Sequence, residues 1–240
     1  MPRRWHYWTS LLLLEFGELC MHPVLRLYED VLSSDENVAF QLPPLPRFIF
    51  VVHGSAAFGD ETLDEGEAWQ GESAITIKPG TAGVTCWRWE LARGDHGSTT
   101  ANAPGMITHE KLTAFLETLP KGELLMRGDS VAFPPDSCAY LHRHQGPGIR
   151  CLIEGGIRID THGRSTSFGP GGAWYESGPD AVFAQVASDK PSRFIRVMIL
   201  PRELAGKSSI QYVNEEDKAK PKSQQYKIYA DAPISFETRK

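Results

Sequence analysis

The sequence contains few cysteines, and their spacing does not indicate cross-linking or metal binding. The four cysteines of the 240-residue chain form no Cys-x-x-Cys pair and no regular framework: Cys20, Cys86, Cys138 and Cys151. A disulfide scaffold and a thiolate zinc site are therefore not expected. A reducing, cytoplasmic setting fits this pattern best.

An excess of basic residues is also missing. The chain has 25 Lys and Arg against 30 Asp and Glu, which gives a formal net charge of −5. The basic residues are scattered, whereas nucleic-acid-binding domains gather them into a patch or stripe. Nucleic acid is not expected to be a partner.

The sequence lacks a long apolar run. Leu11–Leu14 follows two arginines and superficially resembles a signal peptide, but Glu15 and Glu18 interrupt the run and no small-x-small cleavage site follows. A membrane span would need ~20 continuous apolar residues, so no membrane partner is expected. We interpret residues 1–22 as a leader, with Met21 as an alternative start that would make the preceding residues extra sequence.

Glycine and proline are frequent, with 22 and 17 residues, and they separate short segments rich in β-branched and aromatic residues. Such a pattern predicts an all-β protein. Two segments, Val24–Leu32 and Glu110–Glu117, have the pattern of helices. The predicted strands are Phe48–Val52, Ala74–Ile77, Val84–Leu91, Ser130–Phe133, Ile149–Ile153, Ile157–Ile159, Ala181–Val186 and Phe194–Leu200.

The two halves of the chain parallel each other. Val51–Gly54 and Gly66–Trp69 in the first half correspond to Leu152–Gly155 and Gly171–Trp174 in the second half. In each half a strand ends at a glycine turn, and a Gly-x-Ala-Trp segment starts a later strand after a similar gap. The parallel predicts an internal duplication. The alternative is two unrelated hairpins that share common turn chemistry.

The one credible chemical site lies in the second half, around His142 and His144. Both follow an apolar segment that predicts a strand, and residues two apart on a strand face the same side. The two imidazoles would therefore point into the interior together and could bind one divalent metal ion. Strand alternation also points Arg150 inward, where its guanidinium needs an anion or an acidic side chain.

These residues lie in a segment that resembles the cupin superfamily, well over residues 130–200 and more faintly over residues 47–91. The resemblance implies two cupin barrels, which are double-stranded β-helices of the jelly-roll type, with few short helices. It also implies a metal ion held by two histidines and a glutamate of a first motif and by a histidine of a second. The matching segments are Pro134-Pro135, His142-x-His144, Gly146-Pro147-Gly148, Leu152–Gly155 and Pro170–Glu176.

The sequence departs from this family pattern at two ligand positions. The expected glutamate falls on Gly148, and the expected third histidine falls on Val182. A site of two histidines and one carboxylate would be recovered if Glu176 faced inward, as third ligand or as catalytic base. Alternatively, Arg150 pairs with Glu176 or Glu154 in a metal-free pocket for an acidic ligand, or the histidines only hydrogen-bond inside the barrel.

The predicted organisation has four parts. Residues 1–22 are the leader, residues 23–110 a first barrel without a metal motif, residues 111–204 a second barrel with the site, and residues 205–240 a charged linker with a C-terminal strand. That strand, around Tyr226–Ala230, is expected to pair with the first barrel or with a second copy of the chain, because an uncovered edge strand attracts a partner. The second pairing would make a homodimer.

The resemblance and the residues together predict a metal-dependent, oxygenase-like cupin enzyme that acts on a small organic acid. Its cofactor would be a divalent Fe, Mn, Zn or Ni ion on His142 and His144, and Arg150 would hold the carboxylate of the substrate through its planar fork. The alternative is a non-catalytic protein that binds or senses an anionic small molecule with a degenerate metal site.

Overall fold

The structure, a computed structural model, describes residues 22–94 and 96–236, so the predicted leader, apart from His22, and the alternative start at Met21 lie outside the described residues. The described residues form strands and two single turns of 3-10 helix, Arg202–Leu204 and Glu215–Lys218. In chain order the strands are β1 Pro23–Leu32, β2 Phe40–Leu42, β3 Arg47–Phe58, β4 Glu61–Asp64, β5 Ala68–Gly71, β6 Ile75–Arg93, β7 Asn102–Ala103, β8 Met106–Phe115, β9 Leu124–Phe133, β10 Cys138–His144, β11 Gly148–Glu154, β12 Ile157–Thr161, β13 Arg164–Phe168, β14 Ala173–Glu176, β15 Val182–Val186, β16 Ser192–Pro201, β17 Ile210–Tyr212 and β18 Gln225–Ile234.

The strands form three antiparallel sheets, which confirms the all-β class. The first half forms one eight-stranded sheet with the path β4-β3-β6-β1-β8-β7, to which β2 adds by pairing with β6 and β5 by pairing with β3. The second half forms two five-stranded sheets, β13-β12-β15-β10-β17 and β14-β11-β16-β9-β18. Within the described residues no helix is long and apolar enough to cross a lipid bilayer.

Strand pairing confirms the internal duplication. The order β5-β3-β6-β1-β8 in the first half matches β14-β11-β16-β9-β18 in the second half. The register also shifts at one place between β1 and β8 in the first half and at one place between β9 and β18 in the second half. Unrelated hairpins would not share a register across five strands. Residues in equivalent positions are Ile49 and Arg150 on β3 and β11, Trp69 and Trp174 on β5 and β14, and Arg88 and Arg196 on β6 and β16.

The helix predicted at Val24–Leu32 is wrong, because this segment is β1, paired on one side with β6 and on the other with β8. Its residues are mostly buried on both faces. A strand covered on both faces reads as a continuous apolar run rather than an alternation, so its sequence does not differ clearly from that of a buried helix.

The helix predicted at Glu110–Glu117 is also wrong, because most of this segment belongs to β8, which ends at Phe115. Its Glu, Lys, Leu and Ala residues favour a helix intrinsically, but pairing with β1 overrides that preference. A boundary near residue 110 would fall inside β8, and the first sheet extends through Phe115. The division into separate barrels at that residue stays a prediction.

The C-terminal strand does not pair as predicted with the first half of the chain. β18 pairs with β9, at the edge of a sheet of the second half. It occupies the position that β8 occupies in the first half, so residues beyond 204 complete the second repeat rather than follow it. The predicted charged linker precedes this strand and contains the 3-10 turn Glu215–Lys218.

The largest apolar core lies between the two halves. Side chains of the first half, such as Phe48 and Trp89, pack in one cluster with Ile149 and Val197 of the second half. The ring of Phe48 lies directly over Gly128, where an added Cβ would approach the ring to 2.1 Å. A second apolar cluster fills the first half, and a third surrounds the candidate site in the second half.

Candidate functional site

Strand β10 brings His142 and His144 together inside the second half. Their Nε2 atoms lie 3.2 Å apart, and both side chains are buried. The opposite nitrogen of each ring is engaged outward: Nδ1 of His142 donates to the carbonyl oxygen of Tyr140 at 2.7 Å, and Nδ1 of His144 lies 3.3 Å from Oγ of Ser209. Such outer partners fix a ring and turn its other nitrogen toward a ligand.

Glu176, at the end of β14, faces the same space. Its Oε2 lies 3.5 Å from Nε2 of His144, and one ligand atom each from His142, His144 and Glu176 all lie within 4.8 Å of one another. The indole nitrogen of Trp174 donates to Oε1 of Glu176 at 2.9 Å, which fixes the orientation of the carboxylate. The predicted pair of histidines and the predicted carboxylate are therefore brought together.

Arg150, on β11, lies beside this group. Its guanidinium nitrogen NH2 is 2.8 Å from Oε2 of Glu176, and its NH1 donates to the carbonyl oxygen of Gly148 at 2.7 Å. Both side chains are buried, so this ion pair is shielded from water. Glu154, the other predicted partner, instead pairs with Arg193 near the surface.

The two departures from the family pattern have different structural outcomes. Gly148 lies directly opposite Glu176 in the ladder between β11 and β14, so the carboxylate comes from the neighbouring strand. Val182 is buried opposite His142 and belongs to the apolar cluster around the site, so that position supplies no ligand.

Burial sets the protonation of the site. It lowers the pKa of His142, and it lowers the pKa of His144 still further, with the nearby charges of Arg150 and Arg196 acting in the same direction. Both imidazoles are therefore neutral near pH 7, which is the form that binds metal ions. Burial also lowers the pKa of Arg150 to about 10, against the opposing effect of Glu176, and the guanidinium keeps its charge at neutral pH.

These side chains form the polar end of a small cavity of about 30 Å³, which we call the inner cavity. The rest of its lining is mostly apolar. A single water molecule needs roughly 10–15 Å³ of such space, so the inner cavity suits a metal ion together with one small group such as a carboxylate. The polar residues are His142, His144, Arg150, Glu176 and Arg196, and the apolar residues include Val131, Phe133, Ile159, Trp174 and Phe194.

The charge of Arg196 is already matched. Its guanidinium makes two hydrogen bonds to the carboxylate of Asp129, at 2.9 and 2.6 Å, and both residues are buried. Burial alone would lower the pKa of Arg196, but the attraction of Asp129 raises it. Arg150 contacts Glu176 through a single nitrogen. If Glu176 binds a metal ion, Arg150 is therefore the better candidate to bind an anion.

The first half has no equivalent of the site, because its register places other residues at the same positions. In the second half, Val182 lies opposite both His142 and Thr161, and Thr161 precedes a two-residue hairpin turn. In the first half, Ile77 lies opposite both Phe40 and Phe58, and Phe58 precedes a two-residue hairpin turn. Phe40 therefore corresponds to His142. The residues that correspond to His142, His144, Arg150 and Glu176 are Phe40, Leu42, Ile49 and Gly71.

Sequence reasoning missed three residues of the site. Trp174 positions Glu176 through its indole nitrogen. The two-residue spacing of these residues on one strand was the signal that could have linked them. Arg196 and Ser209 lie on strands and turns distant in sequence from the histidines, and no local pattern singles them out.

Comparison with solved structures shows the fold: the chain folds like the cupin barrel proteins, among them the bicupin oxalate decarboxylase. The cupin resemblance is thereby confirmed at the level of the fold. No family model matches the sequence, and no curated protein matches it.

Three structures illustrate the likeness. Oxalate decarboxylase from Bacillus subtilis, in a structure whose title concerns its Mn(II) centres, matches 87% of this chain and 75% of its own, with a TM-score of 0.54 and 11% identity. AerE from Microcystis aeruginosa matches 75% of this chain and 93% of its own, with a TM-score of 0.52 and 12% identity. A cupin 2 conserved barrel domain protein from Leptotrichia buccalis matches 74% of this chain and 84% of its own, with a TM-score of 0.46 and 9% identity.

The residues present fit a divalent metal ion. Two neutral imidazoles present Nε2, and Glu176 presents Oε2, which also lies 2.8 Å from NH2 of Arg150. The other polar atoms of the three side chains have outer partners. Two histidines and one carboxylate are the ligand set of many iron sites, and imidazole also suits Zn, Cu and Ni. The group formed by His142, His144 and Glu176 could therefore hold a metal ion.

Proposed function

We propose that the inner cavity binds a divalent metal ion through His142, His144 and Glu176 and converts a small organic acid whose carboxylate is held by Arg150. The observation that carries this proposal is the convergence of three buried ligand atoms beside the buried guanidinium of Arg150. A polar end of this kind in an otherwise apolar cavity is typical of a small-molecule site.

Each polar residue has a role in the proposal. Arg150 orients the acid, because a guanidinium matches a carboxylate with two parallel hydrogen bonds. Trp174 holds the carboxylate of Glu176, which acts as third ligand and is the site's only acidic candidate for proton transfer among the residues lining the inner cavity. A bound Fe, Mn, Zn or Ni ion would polarise an oxygen atom of the substrate as a Lewis acid.

The oxygenase-like reaction expected from the sequence is the first activity to assay. Decarboxylation is the second, because oxalate decarboxylase with Mn(II) centres is among the similar structures. Both reactions use a small acid as substrate, so oxygen uptake and CO₂ release measured on the same acids distinguish them.

A second candidate function, a non-catalytic protein that binds or senses an anionic small molecule, is favoured by one contact. NH2 of Arg150 lies 2.8 Å from Oε2 of Glu176, so the guanidinium can neutralise this carboxylate without a metal ion. In that case the histidines would line a metal-free pocket, and an acid would bind to Arg150 alone.

Elemental analysis tests the proposal against this second candidate. The purified chain is compared with the double variant His142→Ala/His144→Ala and with the control His53→Ala/His162→Ala, which replaces two largely exposed histidines. Near-stoichiometric metal in the wild type and the control, lost from the folded site variant, supports the enzyme. Equal trace metal in all three contradicts it and favours the binding protein.

The setting and the partners are part of the same proposal. Cys86, Cys138 and Cys151 are free thiols, which agrees with the reducing, cytoplasmic setting expected from the sequence. The small anionic ligand follows from Arg150. The homodimer stays a prediction, which size-exclusion chromatography with light scattering tests directly.

A further inference from the structure

A second pocket lies next to the inner cavity. It has a volume of about 260 Å³, and we call it the outer pocket. The outer pocket and the inner cavity share four lining residues, which lie between the two spaces: His144, Arg196, Ile210 and Tyr226. Ile210 lies on β17 opposite His144, and Tyr226 lies on β18.

Two of the three cations that line the outer pocket are already neutralised. Arg196 is paired with Asp129, and Arg127 makes two hydrogen bonds of 2.9 Å to the carboxylate of Asp231. Lys207 is exposed and makes no ion pair within the part of the chain that the structure describes. Among the described residues, Lys207 is therefore the one unpaired cation of the outer pocket, and its charge is exposed to solvent.

The lining of the outer pocket is rich in apolar surface. Tyr226 is 53% exposed and Ile228 is 54% exposed, and both line the outer pocket together with Ile210. Exposed apolar side chains that cluster at a cavity mouth with a polar rim mark binding sites. The ring of Tyr226 also lies 6.0 Å from the guanidinium carbon of Arg196, which places it over the polar end of the cavity.

We propose that the outer pocket is a second subsite of the same ligand, so that the ligand is an organic acid carrying an aromatic ring or an apolar group of similar size. The carboxylate lies at Arg150, and the apolar group lies against Ile210 and Tyr226. This inference rests on the proposed function and names its substrate class. An acid of two carbon atoms would leave both apolar walls in contact with water.

The preference between two probe acids tests this inference. Acetate and phenylacetate are titrated calorimetrically into the full-length wild type and into Tyr226→Ala, Ile210→Ala and Ile107→Ala, with thermal unfolding as the check on folding. Ile107 is 46% exposed on β8 and lines neither the inner cavity nor the outer pocket, so it is the matched control. We expect the wild type to prefer phenylacetate, and Tyr226→Ala to weaken phenylacetate about tenfold while changing acetate less than about twofold.

The outcomes separate this inference from the proposed function. Loss of binding of both acids in Arg150→Ala, with an unchanged preference in Tyr226→Ala and Ile210→Ala, overturns the second subsite and leaves the proposed function standing. Failure of the wild type to bind either acid overturns both. A change from dimer to monomer in Tyr226→Ala, with the preference unchanged, assigns the exposed face of β18 to a contact between copies of the chain and overturns the subsite.

Discussion

Gly148 and Glu176 lie directly opposite each other in the ladder between β11 and β14. Side chains opposite each other in an antiparallel pair start about 4.5–5.5 Å apart, so a carboxylate on either strand reaches the same space. In the proposed metal site, the adjacent strand thus supplies the glutamate that the cupin pattern places at position 148. Such a site would keep its ligand set although the sequence motif is broken.

Restoring the motif should therefore fail. A Cβ at position 148 would lie 2.3 Å from the carbonyl oxygen of Val197 and 3.0 Å from Cα of Met198, both backbone atoms. Gly148→Glu is expected to cost about 1–3 kcal/mol of unfolding free energy, as overpacking does, without increasing metal content. Urea unfolding and elemental analysis measure the two effects. Gly169→Glu is the control, since its Cβ meets nothing within 4 Å; a stable Gly148→Glu variant with more metal would contradict the account.

Removing the charge of Glu176 should remove most of the metal affinity. Glu176→Gln keeps the size of the side chain and an oxygen that accepts the hydrogen bond from Trp174, but it replaces an anionic ligand by a neutral amide. The metal affinity is expected to fall by at least about tenfold. Changes to residues that only hydrogen-bond to a metal ligand already lower affinity by about ten- to a hundredfold. Competition with a chromogenic chelator measures it. Glu154→Gln, at an exposed ion pair, is the control and should bind metal like the wild type.

Trp174 should matter to the metal through its hydrogen bond to Glu176. Trp174→Phe keeps an aromatic ring in the apolar cluster but removes the indole donor 2.9 Å from Oε1. We expect metal affinity to fall by about ten- to a hundredfold, and unfolding free energy to fall by only about 0.5–1.5 kcal/mol. Trp69→Phe, at the equivalent position opposite Ile49, is the matched control. Equal metal affinity in both variants would assign Trp174 to packing alone.

The sequence predicted the all-β fold, the duplication and four residues of the site, because each depends on a short-range pattern. Alternation along one strand is enough to align His142 with His144 and to turn Arg150 inward. The inward position of Glu176 was left as one alternative, since it depends on how β14 is paired with β11. Such pairing is a long-range property that a single strand does not encode.

The errors have the same physical origin. β1 was interpreted as a helix because burial on both faces removes the alternation that identifies a strand. β8 was interpreted as a helix because its local propensity opposes its pairing. Arg196 and Ser209 were missed because they reach the site from segments far along the chain.

Each half of the molecule contains a buried pair of arginine and aspartate on neighbouring strands. Arg196 makes two hydrogen bonds to Asp129 in the second half, and Arg88 makes two to Asp30 in the first half, at 2.6 and 3.1 Å. The two arginines occupy equivalent positions on β6 and β16. The two aspartates do not: Asp129 lies directly opposite Arg196, whereas Tyr28 lies opposite Arg88 and Asp30 lies two residues further along β1. Each half thus forms its pair separately, and both pairs are buried.

Breaking either pair should therefore destabilise the protein strongly. Asp129→Ala leaves the charge of Arg196 buried without its partner, and Asp30→Ala does the same to part of the charge network around Arg88. Loss of one member of a buried pair typically costs about 3–5 kcal/mol, and we expect each variant to lose an amount in this range in urea unfolding. Glu154→Ala breaks an exposed pair instead and should cost about 0–1 kcal/mol. A loss below about 1 kcal/mol for Asp129→Ala would mean that the guanidinium of Arg196 finds water or another acceptor. That result would contradict the argument that Asp129 neutralises Arg196 and leaves Arg150 to bind the anion.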